Sequence, residues 1–417
     1  MLAQAQDLKY EMSEPIQLSD EGWNNIFLMP NGNTVLFHFE NRKGIIVKVF
    51  DTTRKEIVHK KHVCDLLDIN QLEGSSLKGF CVINDEVVLF ITQQIENKST
   101  LLRLRFSDQG ALIKEDKLVQ SPSFQNKTNT TFNKSETSDD YYITSITNKA
   151  GYEEKEATLK IFNGKHELKK EIPITFDQKG YEDINLKVSY LNKNSDMLVA
   201  LTMIKRDKEV PEKYLRLFFL PNGFSNFITR NTQIPLNFEL TGLADYNPFN
   251  NNTFLNARSY ENAKNKHGKE YRIQHQSGLV INQDLTSAEL ILIDNKKIKS
   301  IISAEIDTNQ IMDAYIAKTK TSNYGLKTIV YSGMIIDKSM IGLKTNKTFD
   351  YTNVAAILQL NEKSEEVWAA VIPISHRYRD NGRLRALSVK NDMLVIYNEL
   401  AKNMNKTLKE SSDTAYH

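Results

Sequence analysis

An all-β fold built from a repeated four-stranded unit is the fold class that this 417-residue sequence predicts. Three observations support the prediction: strands that alternate apolar and polar residues, hairpins of two kinds that follow one another, and a recurring interval between hairpins of one kind. Alternation with a period of two residues is typical of a strand with one buried face. Repetition over several tens of residues is typical of folds that stack one supersecondary unit.

The outer hairpins consist of two alternating strands joined by a turn that contains Gly, Asn or Asp, which is the hairpin signature. Six segments fit this description: 44–63, 99–119, 156–174, 213–236, 288–306 and 354–376.

The inner hairpins have a tight polar turn and a more apolar second strand. Their first strands are predicted to begin near residues 25, 78, 130, 187, 245, 310 and 386. The intervals between them are 53, 52, 57, 58, 65 and 76 residues. Such variation is expected when loops of different length are inserted into a unit of fixed size. Two hairpins per unit give four antiparallel strands, and seven units predict a single β-propeller of seven four-stranded blades, with six or eight blades as the alternatives. A two-sheet sandwich would not account for this period.

The two ends of the chain are predicted to meet in one blade. Segment 14–33 aligns with segment 171–194, where an outer strand runs into the next inner strand. Residues 8–18 are therefore predicted to form the outermost strand of the blade whose inner pair of strands is 386–400. The N-terminal strand would then close the ring and leave no open edge. The propeller is predicted to span residues 8–417.

The start of the chain carries a weak export signal. Ala3-Gln4-Ala5 has the small-x-small pattern after which signal peptidases cut, so residues 1–7 read as a signal-peptide remnant or a flexible N-terminus. Cys64 and Cys81 do not decide the compartment: a buried free thiol is the commoner outcome for Cys81, and a disulfide between the two remains open.

The composition excludes some function classes. Lys and Arg together number 54 and Asp and Glu 52, which gives a net charge of +2 without the basic excess expected of a nucleic-acid-binding protein. The chain has no apolar run near the ~18 residues that a membrane-spanning helix needs. We therefore predict neither a nucleic-acid partner nor a membrane-spanning segment.

The final hairpins resemble a known group of proteins. Their sequence is ILQLNEKSEEVWAAVIP followed by ALSVKNDMLVIYNEL. It is similar to the closing blades of uncharacterised exported β-propeller proteins of bacteria, most clearly over 354–400. The resemblance implies a propeller fold and a location in the periplasm, at the outer membrane or outside the cell. It implies no catalytic residues.

Long polar loops are predicted on one face of the propeller, at 205–213, 261–270, 337–352 and 375–385. Loops on a rigid scaffold commonly carry function, and the segment SHRYRDNGRLR is the most distinctive of these. Guanidinium groups match carboxylates, phosphates and acidic glycans, whereas the alternative is a solvated basic loop paired with nearby acids. The candidate binding residues there are His376, Arg377, Tyr378, Arg379, Arg383 and Arg385.

Two aromatic residues occupy equivalent places near the start of inner hairpins. Trp23 and Tyr181 each follow a Gly and an acidic residue, and each is a candidate platform for stacking a sugar ring. The alternative is that both pack between blades, with the glycine allowing the turn.

Catalytic and cofactor motifs are missing from the sequence, which contains no nucleophile elbow, zincin helix, phosphate loop or dinucleotide fingerprint. His59 and His62 would face opposite sides of a strand, so we predict no metal site and no cofactor. The favoured hypothesis is a non-catalytic, extracytoplasmic binding or scaffold propeller that engages an envelope or cell-surface protein complex or a glycan. The alternative is a glycan-active hydrolase or lyase with its site at the mouth of the central channel.

Overall fold

The protein is described by a computed structural model, whose described residues form 26 strands, one α-helix and one 3-10 helix. The chain divides into two compact units, Met1–Gln178 and Lys179–His417. The described residues are 23–40, 42–123, 127–148, 155–181, 183–205, 210–248, 250–264, 270–293, 295–305, 310–321, 326–337, 352–361, 363, 365–374, 385–389 and 392–396.

The first unit contains three four-stranded antiparallel sheets, each formed by four consecutive strands. A 3-10 helix, Ile69–Gly74, lies between the first and second sheets. The first sheet comprises β1 (Trp23–Leu28), β2 (Thr34–Glu40), β3 (Gly44–Phe50) and β4 (Glu56–His62). The second comprises β5 (Ser76–Ile83), β6 (Glu86–Ile95), β7 (Lys98–Phe106) and β8 (Leu112–Gln120). The third comprises β9 (Lys127–Lys134), β10 (Tyr141–Asn148), β11 (Lys155–Phe162) and β12 (Leu168–Pro173).

The second unit contains three more sheets of the same kind, a helix and a final hairpin. The fourth sheet comprises β13 (Asp183–Leu191), β14 (Met197–Lys205), β15 (Glu212–Leu220) and β16 (Ile228–Ile234). The fifth comprises β17 (Phe238–Asn247), β18 (Asn252–Lys264), β19 (Glu270–Asn282) and β20 (Ala288–Ile293), and helix α1 (Lys296–Glu305) follows it. The sixth comprises β21 (Gln310–Thr321), β22 (Lys327–Asp337), β23 (Thr352–Leu360) and β24 (Glu366–Ile374), and the hairpin comprises β25 (Arg385–Val389) and β26 (Asp392–Ile396).

Six consecutive four-stranded antiparallel sheets are the blades of a β-propeller, so the predicted fold class is confirmed. A strand also lies at each of the seven places where an inner hairpin was expected to begin. The number of blades and the closure of the ring by residues 8–18 stay predictions, because residues 1–22 lie outside the described part of the chain.

One predicted hairpin is wrong. Segment 288–306 was expected to form two strands, but its second half is helix α1, and the outer hairpin of the fifth sheet is β19 with β20. Ile298 and Ile301 are three residues apart and pack together into the core, which is the spacing of a helix and not of a strand. The carboxylate of Glu366 accepts hydrogen bonds from the backbone N–H groups of Lys296 and Lys297 at 2.9 and 2.8 Å, which caps the first turn.

The core of the first unit consists of aromatic and aliphatic side chains between successive sheets. Phe37 packs edge-on against Phe80 and Phe106, with ring centroids 5.1 and 5.0 Å away, between the first and second sheets. Between the second and third sheets, Phe132 lies over Gly79, where a Cβ would overlap the phenylalanine ring. Glycine is therefore required there by close packing and not by its backbone angles.

The core of the second unit follows the same plan. Buried side chains of the fourth sheet, such as Leu215 and Leu217, pack against the fifth sheet, where Leu255 is fully buried. A second cluster joins the fifth and sixth sheets through Phe254 and Tyr331. Within each unit, consecutive sheets thus bury the faces that they turn towards each other, as blades do.

In each unit, an outer hairpin turn contacts the preceding sheet of the same unit, which gives it a structural role. His62 Nε2 lies 2.7 Å from the carbonyl oxygen of Gly110 in the turn between β7 and β8. In the second unit, Arg230 Nη1 donates to the carbonyl oxygen of Leu285 at 2.7 Å, in the turn between β19 and β20.

The inner turn at Asn84 and Asp85 has φ of 48° and 63°, the left-handed pair of a tight hairpin.

Each sheet therefore has two different ends. We call the end with the two hairpin turns the turn end. We call the other end, which carries the connection from the second to the third strand and the connection to the next sheet, the loop end. Because the turns serve packing, the loop ends are where side chains are available for a partner.

Candidate functional site

The structure describes few of the predicted binding residues. The residues outside the described part of the chain include His376, Arg377, Tyr378, Arg379 and Arg383, and they include segments 206–209, 338–351 and 375–384 of three predicted loops. Arg385 is the first residue of β25, opposite Ile396. Trp23 is the first residue of β1, opposite Phe39. The loop predicted at 261–270 is shorter than expected, because β18 continues to Lys264 and β19 begins at Glu270.

Tyr181 belongs to a group of side chains at the loop end of the fourth sheet. Its ring meets the ring of Tyr214 edge to face, with centroids 5.7 Å apart and planes at 89°. The ammonium nitrogen of Lys205 lies 4.8 Å from the centroid of Tyr181 and 5.9 Å from that of Tyr214. All three side chains are half-buried. With Glu212, they form what we call the tyrosine–lysine cluster.

The strand register explains how this cluster forms. Lys205 is the last residue of β14 and lies directly opposite Glu212, the first residue of β15. A direct ion pair would be the ordinary outcome of that register. Instead, the Tyr214 hydroxyl donates to Glu212 Oε2 at 2.6 Å, and no carboxylate oxygen of a described residue lies within 4.0 Å of Lys205 Nζ.

A second half-buried cation lies on the same face of β15. Arg216 is two residues beyond Tyr214, and alternate residues of a strand share a face. Its guanidinium carbon lies 5.9 Å from the centroid of Phe218, and its Nε is buried with no hydrogen-bond partner. This face of the fourth sheet therefore carries two cations that no described carboxylate neutralises.

Sequence reasoning selected Tyr181 but missed Lys205, Tyr214 and Arg216. The sequence does contain a pattern that could have indicated two of them. In EKYLRLFFL (212–220), Tyr214 and Arg216 alternate with apolar residues of the strand. Polar residues on the buried side of a core strand indicate a specific role. That these residues share a face with Tyr181 follows only from the strand register.

A second polar group, in the first unit, joins the second and third sheets. Arg103 is 5% exposed, and its Nε and Nη2 donate to Asp116 Oδ2 at 3.0 and 2.7 Å. Its Nη1 donates to the Tyr141 hydroxyl and, at 3.2 Å, to the carbonyl oxygen of His166. Burial raises the pKa of Tyr141 to about 12, so this hydroxyl stays protonated. The group has the character of a satisfied structural network.

His166 extends the network to a second ion pair. Its Nδ1 lies 3.2 Å from the Tyr141 hydroxyl and its Nε2 lies 3.3 Å from Glu86 Oε2. Glu86 in turn accepts hydrogen bonds from Arg105 Nε and Nη2 at 2.6 and 2.7 Å. Burial, followed by the charges of Arg105 and Arg103, lowers the pKa of His166 to about 4, so the imidazole is neutral at pH 7.

The low pKa of His166 predicts a loss of stability in mild acid. The histidine has an ordinary pKa of 6.5, so between pH 6.5 and about 4 the unfolded chain binds more protons at this site than the folded chain. The free energy of unfolding should therefore fall as the pH falls through this window, by a few kcal/mol (about 1.4 kcal/mol per pKa unit). Denaturant titrations at several pH values measure the slope.

Two variants separate this effect from general acid denaturation. His166→Asn keeps a residue that tolerates the positive φ of 68° and should flatten the slope. His59→Asn alters a histidine whose side chain is 54% exposed and should leave the slope unchanged. Equal slopes in the parent and His166→Asn would show that other groups cause the acid sensitivity.

Among the described residues, the carboxyl groups with a clearly altered pKa are all more acidic than usual. Hydrogen bonds from residues two to four positions further along the chain lower the pKa of Asp51, Asp68 and Asp284. In Glu86 and Asp116, burial acts upward and is outweighed by hydrogen bonds from Arg105 and from Lys114 and Arg103, respectively. Catalysis of glycoside hydrolysis needs one carboxylic acid with a raised pKa. All five shifts are downward, in Asp51, Asp68, Asp284, Glu86 and Asp116.

Hydroxyl groups occupy an innermost strand of the first unit. Strand β9 reads KTNTTFNK, and Thr130 Oγ1 lies 3.3 Å from Thr92 Oγ1, while Thr128 Oγ1 lies 2.9 Å from Thr147 Oγ1. Thr128 and Thr130 are buried, so their hydroxyl groups serve the packing of the second and third sheets.

The two cysteines are free, which answers the open question of a disulfide. Burial raises the pKa of both thiols to about 12, so Cys64 and Cys81 have little thiolate character. Among the described residues, no group of three or more His, Cys, Asp or Glu side chains could hold a metal ion. No helix in the same part of the chain is long and apolar enough to cross a membrane.

One lysine of the second unit is almost fully buried. Lys327, at the start of β22, is 7% exposed, and its ammonium nitrogen lies 3.2 Å from the centroid of Phe254. No described residue forms an ion pair or hydrogen bond with this nitrogen. Burial lowers the pKa of Lys327 to about 7, against a weaker upward effect of Asp245.

Comparison of the sequence with protein-family models and with curated proteins found no match. Solved structures with similar chains include the WD40 domain of SCAP from fission yeast, at 11% identity and a TM-score of 0.38 over 89% of this chain and 81% of that one. A member of the DUF4221 family from Bacteroides vulgatus has 12% identity and a TM-score of 0.32 over 74% and 87%. An endo-arabinase from Bacteroides thetaiotaomicron has 9% identity and a TM-score of 0.30 over 66% and 95%.

At these identities and TM-scores, none of the similarities supports a statement about activity or substrate. The sheets themselves define the class of protein, which is a β-propeller with four-stranded blades.

Proposed function

We propose that the protein is a non-catalytic, exported binding or scaffold propeller that engages an envelope or cell-surface protein complex or a glycan through the loop ends of its sheets. The observation that supports this most directly is the tyrosine–lysine cluster at the loop end of the fourth sheet. There, Lys205 is half-buried and faces two tyrosines, with no described carboxylate to neutralise it. Such a set of groups can bind and orient a ligand through its charge and its hydrogen-bond donors.

The fold supplies the physical reason why binding suits this chain. Each sheet fixes the ends of its loops on a packed core, so many side chains can contact one partner with little loss of conformational entropy for each. Export is proposed on the resemblance of 354–400 to exported propellers.

The test of the proposed function is capture of a partner from the native envelope with the intact protein. The basic segment Arg377 to Arg385 is expected to meet an acidic surface or an anionic polymer, so recovery should fall as salt rises. Replacing Arg377, Arg379 and Arg383 with Ala should reduce recovery and leave the melting temperature nearly unchanged. The fraction of partner recovered at low and at physiological salt is the measurement.

A control removes the same charge elsewhere. Lys60, Lys61 and Lys117 are exposed on the outer strands β4 and β8, and their replacement with Ala should not alter recovery. Equal recovery by the parent and the arginine variant would show that the arginine segment is solvated and does not contribute to binding. Turnover of any envelope or dietary glycan by the purified protein would overturn the binding proposal in favour of a hydrolase or lyase.

A further inference from the structure

We infer that Asn222 is a site of spontaneous modification, at which the side-chain amide becomes a carboxylate and adds a negative charge to the turn end of the fourth sheet. In this reaction the backbone nitrogen of the next residue bonds to Cγ of the asparagine. The bond between Cγ and Nδ2 breaks, and ammonia leaves with the proton of the attacking nitrogen. Water then opens the cyclic imide to aspartate or isoaspartate. The conversion needs no partner and is independent of the proposed function.

A following glycine favours this reaction, because it places no side chain beside the attacking nitrogen. Among the described residues, Asn31, Asn163 and Asn222 each precede a glycine, and each lies in a hairpin turn. A fourth pair, at 381–382, lies outside the described residues. Asn31 and Asn222 share the local sequence Pro-Asn-Gly, so chain chemistry alone predicts similar reactivity at both. A difference between them must come from the fold.

The reacting groups of Asn222 are accessible. Asn222 and Gly223 are exposed, and apart from the chain neighbours no heavy atom lies within 4 Å of the position that a Cβ of Gly223 would occupy. The side-chain amide of Asn222 has one hydrogen bond to a described residue, from Nδ2 to the carbonyl oxygen of Asn194 at 3.2 Å. The N–H of Gly223 donates to no described residue. The side chain can therefore turn towards this nitrogen once a single long hydrogen bond opens.

The same tripeptide at Asn31 is held by three hydrogen bonds. The N–H of Gly32, which would have to attack, donates to the carbonyl oxygen of Met29 at 2.9 Å. Asn31 Oδ1 accepts from the backbone N–H of Asn33 at 3.0 Å, and Asn31 Nδ2 donates to Asp108 Oδ2 at 2.8 Å. Attack at Asn31 therefore requires both reacting groups to be released first.

Asn163 is also held in place. Its Oδ1 accepts from the backbone N–H of Glu167 at 2.9 Å, and its Nδ2 donates to Glu167 Oε2 at 2.8 Å. A Cβ on Gly164 would lie 2.7 Å from Cβ of Asp139, so the turn is closely packed as well. Of the three asparagines, Asn222 thus has the fewest restraints on the reaction.

The new carboxylate would form beside a buried acid. The backbone N–H of Asn222 donates to Asp196 Oδ1 at 2.9 Å, and Asp196 is 7% exposed. Asp196 Oδ2 accepts from Gln283 Nε2 at 2.7 Å, which links this turn to the fifth sheet. A second negative charge close to Asp196 is repelled by it, and the carbonyl group of Asn194 loses its donor. Conversion is therefore expected to weaken the link between the fourth and fifth sheets.

The test follows conversion at each asparagine of the folded, full-length protein in mildly alkaline buffer, by mass spectrometry of proteolytic peptides. Asn222 should convert about tenfold faster than Asn31 or more, since additional hydrogen bonds must open at Asn31. In the protein unfolded by denaturant, the two Pro-Asn-Gly sites should convert at similar rates. Asn222→Gln is the control, because a glutamine would have to close a larger ring and should remain unconverted.

Equal rates at Asn31 and Asn222 in the folded protein, or no conversion at Asn222, would overturn the inference. A preference for Asn222 that persists in the unfolded protein would also overturn it, because the local sequence and not the fold would then select the site. Asn222→Asp carries one of the two products and should lower the melting temperature. An unchanged melting temperature would overturn the expected weakening of the link between the sheets.

Discussion

Replacement of Arg103 with methionine is expected to lower the free energy of unfolding by about 3–5 kcal/mol, which is typical of breaking a buried ion pair by removing one partner. The guanidinium group supplies two hydrogen bonds to Asp116 and further ones to Tyr141 and the backbone of His166. Methionine fills much of the same volume but leaves these acceptors without their donor. Equilibrium denaturation of the parent and the variant measures the difference.

Lys114 offers a matched control at the same carboxylate. Its ammonium nitrogen lies 2.9 Å from Asp116 Oδ1, yet its side chain is 56% exposed, whereas that of Arg103 is 6% exposed. Lys114→Met should therefore cost no more than about 1 kcal/mol, as exposed ion pairs do. A similar loss in both variants would mean that the charge of Asp116, and not the buried network, decides stability.

The sequence predicted the local elements of this fold well, because hairpins depend on short-range signals. The turn at Asn84 and Asp85 joins two alternating strands, and the left-handed φ values of both residues are those that Asn and Asp tolerate. Such turn signals lie within about ten residues of one another. The four-stranded unit was predicted from their recurrence along the chain, at intervals of 52 to 76 residues.

The sequence did not predict helix α1, because its apolar pattern is short and its cap is distant. Glu366 caps the helix from 69 and 70 residues further along the chain. The inter-sheet network is also invisible in the sequence: Arg103 reaches the backbone of His166 over 63 residues. Lys205 illustrates the same limit at the candidate site, since only the strand register places it between Tyr181 and Tyr214.

Replacement of Lys327 with methionine is expected to raise the free energy of unfolding at neutral pH by about 1–4 kcal/mol, the range seen when buried charges are exchanged for apolar side chains. The lysine is 7% exposed and has no described ion-pair partner. Its cation–π contact with Phe254 at 3.2 Å favours the charged form by about 2 kcal/mol and offsets only part of the cost of burial.

The sign of the pH dependence follows from the direction of the pKa shift. The pKa of Lys327 falls from 10.5 to about 7 on folding, so between these values the unfolded chain binds more protons at this site than the folded chain. The free energy of unfolding of the parent should therefore rise as the pH rises from about 7 towards 10. A shift of this size corresponds to roughly 5 kcal/mol at most, before the cation–π contact is considered.

Denaturant titrations between neutral and alkaline pH, carried out on matched variants, test this origin of the slope. Lys327→Met should remove the rise in stability with pH, and its advantage over the parent should shrink as the pH increases, because the parent then buries a neutral amine. Lys363→Met, which removes an exposed lysine of the same unit, should keep the parental slope. If Lys327→Met destabilises the protein and retains that slope, then Lys327 stays charged in the fold and the contact with Phe254 outweighs its burial.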